Sequence, residues 1–232
     1  MYRNKKISVV IPCYNEEIGL EKTYKLIPKF IDEVLVVDNL STDKTAKVAK
    51  KLGAKVISEK NKGYGFAIKK GIETAKADII ITIDGDGTYP VEDSLRPVKY
   101  LLDENLDFVS CSRFPLRNRN SMHWQNLVGN KLISFLMKLL FWREFKDGLS
   151  GMWVFRKNIY NSLLPLSSDW NLSEEIKIKA YLHPDIKFDE YRINYHPRFG
   201  ASKVWPIKVG IENIVFLFKF RMHNTLNLEK ST

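Results

Sequence analysis

Residues 79–90 read Ile-Ile-Ile-Thr-Ile-Asp-Gly-Asp-Gly-Thr-Tyr-Pro, so an apolar run delivers Asp84 and Asp86, two positions apart, into a turn that Gly85 and Gly87 leave free to bend. Carboxylate oxygens so spaced suit a hard divalent cation, Mg2+ or Mn2+, that keeps open positions for diphosphate oxygens. Asp and Gly also fill ordinary turns, so the pair alone is a weak signal. Its weight comes from company. Asn15-Glu16-Glu17 follows the apolar run that ends at Pro12, and Asp38-Asn39 follows Val34–Val37. Lys62-Gly63-Tyr64-Gly65 invites a phosphate-loop reading, because glycine admits close backbone approach and a helix N-terminus favours anions. The segment lacks G-x-x-x-x-G-K-[ST], which sets aside a nucleoside-triphosphate P-loop and leaves Lys62 and Gly63 to shape the same site.

The elements that would carry these residues alternate. Ile7–Ile11, Glu33–Val37, Lys55–Ile57, Asp78–Ile83 and Asp107–Cys111 are β-branched, apolar and bounded by Pro, Asp, Gly or Ser, as strands are. Glu17–Phe30, Asp43–Leu52, Gly65–Thr74 and Val91–Leu102 between them have helical spacing. This order predicts βαβ units and a largely parallel sheet, whose ligands gather at the carboxyl ends of the strands. The polar clusters fall at those ends. Ser41 and Asp43 also serve as capping residues for the next helix.

The 232 residues are 44% apolar and 28% charged, which fits a globular domain with a sizeable core and excludes a disordered chain. Two cysteines, Cys13 and Cys111, exclude a disulfide scaffold. His123, His183, His196 and His223 lack zinc-ligand spacing. No repeat or linker divides the sequence, so a single domain over 1–232 is expected, with halves at 5–115 and 116–232. The net charge is +10; residues 1–112 carry 18 basic and 17 acidic side chains, the remainder 19 and 10. The second half therefore meets an anion. Met122–Trp142 and Ile207–Met222 read as helices with broad apolar sides, interrupted by charges and short of the about 20 apolar residues a membrane span needs. Their Trp124, Trp142, Trp205, Phe216 and Phe220 beside Lys and Arg suit a membrane surface. No export signal is read at the N-terminus, so the expected setting is the cytoplasmic face of a membrane, with peripheral attachment. No nucleic-acid-binding signature occurs.

Taken in order, Val9–Glu17, Val34–Thr45, Asn61–Gly71 and Asp84-Gly85-Asp86 resemble the nucleotide-sugar half of inverting family-2 glycosyltransferases of the GT-A fold. Cys111–Phe114, Gly129-Asn130-Lys131, Lys146–Met152 and Arg198–Lys203 resemble acceptor motifs of the dolichyl-phosphate mannose synthase and polyprenyl-phosphate glycosyltransferase branch. The resemblance implies a Rossmann-like, three-layer α/β fold with a central, mostly parallel sheet and a C-terminal helical acceptor region. It implies a sugar moved from a nucleotide-diphosphate sugar, UDP- or GDP-linked, to a polyprenyl phosphate, with Mg2+ or Mn2+. Pro12, Tyr14 and Glu16 match the loop that embraces the nucleotide, and Asp38 the acid that reads base or ribose. Asn39 stands where many relatives have a second acid. Asp84, Gly85 and Asp86 match the ribose, metal and diphosphate position. Thr88 replaces the Gln frequent in mannose synthases, which keeps a uridine donor open.

A phosphate monoester is already an anionic nucleophile near neutral pH, so no Ser-His-Asp arrangement is required; alignment and stabilisation of the leaving diphosphate do the work. Arg113, Arg117, Arg119, Arg198, Ser202 and Lys203 are the candidates for the acceptor phosphate, with Arg117 and Arg119 competing for one slot. Asp147 has two readings, an acid near the acceptor or an architectural residue that orients an arginine or caps the next element. Two other functions stand beside the first: transfer to a glycan or protein hydroxyl, with Asp147 as base, and a nucleotide-sugar-binding or membrane-adaptor module without turnover. A separate membrane partner or self-association is open.

Overall fold

A computed structural model describes residues 1–203 and 205–229. The apolar run Ile7–Cys13 forms β1, buried along its whole length, as a central parallel strand must be when helices cover both faces. Glu33–Asp38 (β2), Lys55–Ser58 (β3) and Ile79–Thr82 (β4) lie parallel beside it. Phe108–Ser112 (β5), Trp153–Arg156 (β6) and Phe188–Arg192 (β7) complete a seven-stranded sheet of order β3-β2-β1-β4-β6-β5-β7. β6 runs antiparallel to both neighbours, β4 and β5, and is the one reversed strand among those described.

The two-residue period of the strands sorts their side chains onto two cores. Val9, Ile11, Ile79 and Ile81 face α1 (Glu17–Lys25), α2 (Thr45–Lys51) and α4 (Leu95–Asp103), through Leu20, Ala49, Val98 and Leu101. Val10, Leu35, Ile80 and Trp153 face α3 (Tyr64–Thr74) and α6 (Leu172–Leu182), through Ile68, Ile72, Leu172 and Ile176. This is the three-layer α/β arrangement expected. α1 stops at Lys25, short of the expected Phe30, because Pro28 cannot continue a helix. A 3-10 turn, Val91–Asp93, precedes α4 where one helix was expected.

A third core joins α5 (Trp124–Phe141) to α7 (Pro206–Glu229): Ile133, Met137 and Phe141 pack with Leu217, Phe145 and Ile178 of α6. Outside this seam α5 leaves Trp124, Val128, Phe135 and Leu139 exposed, and α7 leaves Ile207, Ile211 and Met222 exposed. Such a stripe at i, i+4 spacing is a large apolar surface for water to cover. Among the described residues no helix is long and apolar enough to cross a membrane.

Candidate active site

Three adjacent parallel strands end at one edge of the sheet. Cys13 of β1 stands opposite Asp38 of β2, and Val10 opposite Thr82 of β4, so Tyr14–Glu16, Asp38-Asn39 and Asp84–Asp86 leave the sheet together. Asp86 is buried; its Oδ1 accepts hydrogen bonds from the Thr88 N–H (3.0 Å) and hydroxyl (2.6 Å). Its other oxygen accepts from Arg198 Nη1. Asp84 accepts from the Tyr64 hydroxyl at 3.3 Å. Burial, then repulsion from Asp86, pushes the Asp84 carboxyl up to about 7. Two carboxylates this close and this short of solvent call for a cation. Among the described residues no three-ligand protein cage exists. The pair fits Mg2+ or Mn2+ in the form that such ions commonly take, bound by one or two carboxylates with remaining positions filled by phosphate oxygens and water.

Protein cations occupy part of that role here. Arg198 reaches from Asp86 to Glu16 through Nη2, and Lys203 Nζ lies 2.7 Å from the same Glu16 carboxylate. Burial raises the Glu16 carboxyl above its ordinary value, while Lys203 and Arg198 pull it down. Arg198 Nε is buried without a hydrogen-bond acceptor among the described residues. The segment bearing Arg198 lies over the Asp-Gly turn as a strap: the His196 N–H donates to Thr88 O and the Phe199 N–H to Asp86 O, both at 2.9 Å. Gly87 permits the approach. Its φ is +79°, and a Cβ there would strike the Phe199 ring.

The second cluster centres on Arg113 and Asp147. Arg113 Nε and Nη2 donate to the two Asp147 oxygens at 2.7 and 2.8 Å, and the Arg113 backbone N–H adds a third bond at 2.9 Å. Asn130 Nδ2 donates to Asp147 Oδ1 at 2.7 Å, and Lys177 Nζ to the Asp147 and Ser150 carbonyls. Burial alone would raise Asp147, but Arg113 and Lys177 overcome it and hold the carboxyl below the usual range. Of the two roles open to Asp147, the geometry in place is that of orienting an arginine. Tyr195 lies under the same guanidinium, 5.2 Å to the ring centroid, with Tyr89 edge-on to it. The Tyr89 hydroxyl accepts from the Gly151 N–H at 2.7 Å, and a Cβ on Gly151 would meet Tyr64, Asp84 and Tyr89. The two clusters thus meet at Gly151.

The other candidates are dispersed around these. Pro12 is buried in β1, and Lys62 stands over the Tyr14 ring at 5.2 Å. Asp38 is half-buried and accepts from the Ser41 N–H at 3.4 Å. The Asn39 side chain is committed to the following loop: Nδ2 donates to Glu59 O and Asn61 O, and Oδ1 accepts from the Gly63 N–H. Gly65 serves a further contact, since a Cβ would lie 2.5 Å from Ser167 O; the loop before α6 is pressed onto the glycine segment. Gly85 is buried between the acids. Arg117 is exposed in the loop after β5, Arg119 begins a 3-10 turn, and Ser202 lies exposed on the strap. Tyr195 and Lys177 carried no sequence signal. Tyr64, Tyr89 and Asn130 did, as parts of the Lys62–Gly65 segment, the 79–90 run and the Gly129-Asn130-Lys131 motif.

Residues 8–164 match the family described as glycosyl transferase family 2. The chain belongs to that family. An uncharacterized glycosyltransferase of Mycobacterium tuberculosis is 40% identical over 201 residues, 85% of this chain and 89% of the relative. A Haloferax volcanii protein named dolichyl-phosphate hexose transferase is 27% identical over 215 residues, 90% of this chain and 91% of its own. Among solved structures, Mycobacterium tuberculosis glucosyl-3-phosphoglycerate synthase in complex with Mn2+, UDP-glucose and phosphoglyceric acid superposes with a TM-score of 0.72 at 21% identity. That likeness covers 94% of this chain and 80% of the other, and shows the GT-A fold. The protein is a glycosyltransferase of family 2, as its motifs suggested.

Proposed function

We propose that this glycosyltransferase moves one sugar from a UDP- or GDP-linked donor to a polyprenyl phosphate at a membrane surface. The observation that carries the reading is the double allegiance of α5. Its inner face gives Asn130, which binds the Asp147 that orients Arg113, and its outer face is the exposed stripe of Trp124, Val128, Phe135 and Leu139. One helix therefore links an arginine beside the donor carboxylates to an apolar surface suited to lipid. The named activity of the Haloferax relative supports the same acceptor class.

In this reading Tyr14, Glu16, Asp38 and Lys62 embrace the nucleotide, with Gly63 and Gly85 shaping the loops around it. Asp84 and Asp86 would hold Mg2+ or Mn2+, whose contribution is to neutralise charge on the departing diphosphate; the solved relative was crystallised with Mn2+ and UDP-glucose. Arg113, Arg198 and Lys203, with Ser202 and one of Arg117 and Arg119, hold the acceptor phosphate. One phosphate oxygen attacks the anomeric carbon, the bond from that carbon to the diphosphate oxygen breaks, and the nucleoside diphosphate leaves with the electron pair. Inversion follows from single displacement. Asp147, with both oxygens bound to Arg113 and Asn130, positions the arginine, and a phosphate nucleophile needs no base.

Purified protein with Mg2+ or Mn2+ and radiolabelled UDP- and GDP-sugars, with and without polyprenyl phosphate, tests the reading. Label should enter the organic phase only when the lipid phosphate is present. Label in water-soluble glycan, or donor binding without transfer, would overturn it. Peripheral attachment is tested by flotation with anionic vesicles, where Trp124→Glu should leave the protein at the bottom of the gradient.

A further inference from the structure

A groove of about 1020 Å3 lies between α5, the loop after β5 and residues 144–146. Phe114, Leu116, Leu127, Phe135 and Phe145 give it apolar walls. Its deep end is marked by Asn130, 2% exposed and bonded to Asp147, and by Phe114, whose ring centroid is 5.9 Å from the Arg113 guanidinium. Its open end is marked by Trp124 and Phe135, 71% and 60% exposed on the apolar face of α5. Lys131, Lys138 and Lys146 stand along it against the single acid Glu144.

We infer that this groove binds the phosphate-proximal isoprene units of the acceptor, with the chain running from Arg113 to the exposed face of α5. The inference rests on the lipid-phosphate reading and adds the place and extent of chain recognition. Three features select the occupant. Asp147 takes two of the five guanidinium N–H donors of Arg113, which leaves donors for an anion at the deep end. Lys131 and Lys146 complement the same negative charge, while Lys138 is paired with Glu144 at 3.6 Å. Phe114, Leu116, Met122, Leu127 and Phe135 carry an apolar wall out to Trp124 on the α5 face, so whatever carries the anion trails a hydrocarbon. The lining runs along α5 from Trp124 to Lys138, about 21 Å at 1.5 Å per residue, a length for a few extended isoprene units and not for the whole of a long polyprenyl chain. Acceptor affinity should therefore rise with chain length and then level, as units beyond the groove pass into the bilayer.

The experiment measures KM for C5, C15 and C55 prenyl phosphates in detergent micelles, and maps photolabelling by a C15 phosphate bearing a terminal diazirine. Each buried methylene multiplies affinity by up to about fourfold, so the wild-type KM should fall at least about tenfold from C5 to C15 and little thereafter. Leu127→Trp fills the groove from α5, and Leu116→Trp fills it from the opposite loop. The KM(C5)/KM(C15) ratio should collapse toward one in both, a readout that a general loss of folded enzyme does not move, and wild-type label should map within 114–145. A wild-type ratio of one, or variants that keep the wild-type ratio, overturns the groove. Labelling displaced equally by phosphatidic acid assigns the groove to acyl chains and also overturns it. Groove labelling displaced by C15 phosphate but not by phosphatidic acid, without transfer to any prenyl phosphate, upholds the groove while the transfer reaction falls.

Discussion

Arg198→Ala should tighten the binding of Mn2+ to the protein without nucleotide. In the wild type the guanidinium sits on Asp86 and Glu16, with Asp86 5% and Arg198 26% exposed at the side chain. A cation that takes Asp86 must first displace this contact. Hydrogen bonds to charged groups are worth about 1.5–3 kcal/mol, and about 1.4 kcal/mol is a factor of ten. The lower end applies, because a guanidinium one quarter open to solvent recovers hydration when it turns away; removal of the competitor should then lower the Mn2+ dissociation constant about tenfold. The free-Mn2+ paramagnetic resonance signal gives that constant directly, for the wild type, Arg198→Ala and Asp86→Ala in parallel. Turnover should move the opposite way in Arg198→Ala, with KM for the lipid phosphate rising far more than KM for the sugar nucleotide. Equal or weaker Mn2+ binding in Arg198→Ala would refute the reasoning, since the arginine would then be supporting the cation and not standing in for it.

Four further outcomes follow from the same geometry. Asp86→Ala should lower metal-dependent turnover by about 10²-fold or more, as loss of one key electrostatic contact does, measured at saturating donor. Because Asp84 is pushed up to about 7, it holds a proton below that pH; Mn2+ affinity should climb up to about tenfold per pH unit from 5 to 7 and then level, and a flat profile by the same resonance titration would exclude Asp84 as a ligand. Asp147→Asn leaves Arg113 buried without its counter-charge and should destabilise the fold by roughly 3–5 kcal/mol in urea unfolding. Glu174, buried with neither oxygen hydrogen-bonded among the described residues and raised by burial to about 8, keeps in the folded state a proton that the unfolded chain loses near pH 4.5. Its contribution to stability therefore falls as pH rises from about 4.5 to about 8, and Glu174→Gln should flatten that decline in thermal melts.

The sheet was legible chiefly where its strands are buried. β1, β2, β4 and β5 are apolar, largely β-branched runs cut off by Pro, Asp, Gly or Ser, whereas the edge strand β3 is exposed or half-buried and was legible by Val56-Ile57 between turn residues. β6 and β7 escaped it for different reasons. Trp153–Arg156 has one β-branched residue, Val154, and breaks the βαβ alternation by entering the sheet reversed, while the edge strand Phe-Asp-Glu-Tyr-Arg is half-buried and mostly polar. α6 hides its period because Glu174, Glu175 and Lys177 are buried along with its aliphatic residues. The carboxylates at the strand ends were legible as a cluster because the topology rule brings strand ends together. The glycines of 63–65 were legible as a tight place, yet part of that tightness is the Ser167–Ser168 backbone, about a hundred residues away.

What no spacing could reveal is the pairing across the halves. Arg198 lies 182 residues from Glu16 and 112 from Asp86, and Lys203 joins the same group. The excess positive charge of residues 113–232 pointed to an anion, and the acids at the ends of β1 and β4 are the first anions it meets. An ion-pair strap of this kind holds the donor carboxylates together before any donor arrives, at the cost of a cation that must move. In the proposed reaction the two negative charges of the sugar-nucleotide diphosphate and the two positive charges of the metal cancel, so the excess negative charge of the carboxylates persists; the guanidinium released from Asp86 still has Glu16 beside it, and the acceptor phosphate then enters a site whose arginine is already ordered.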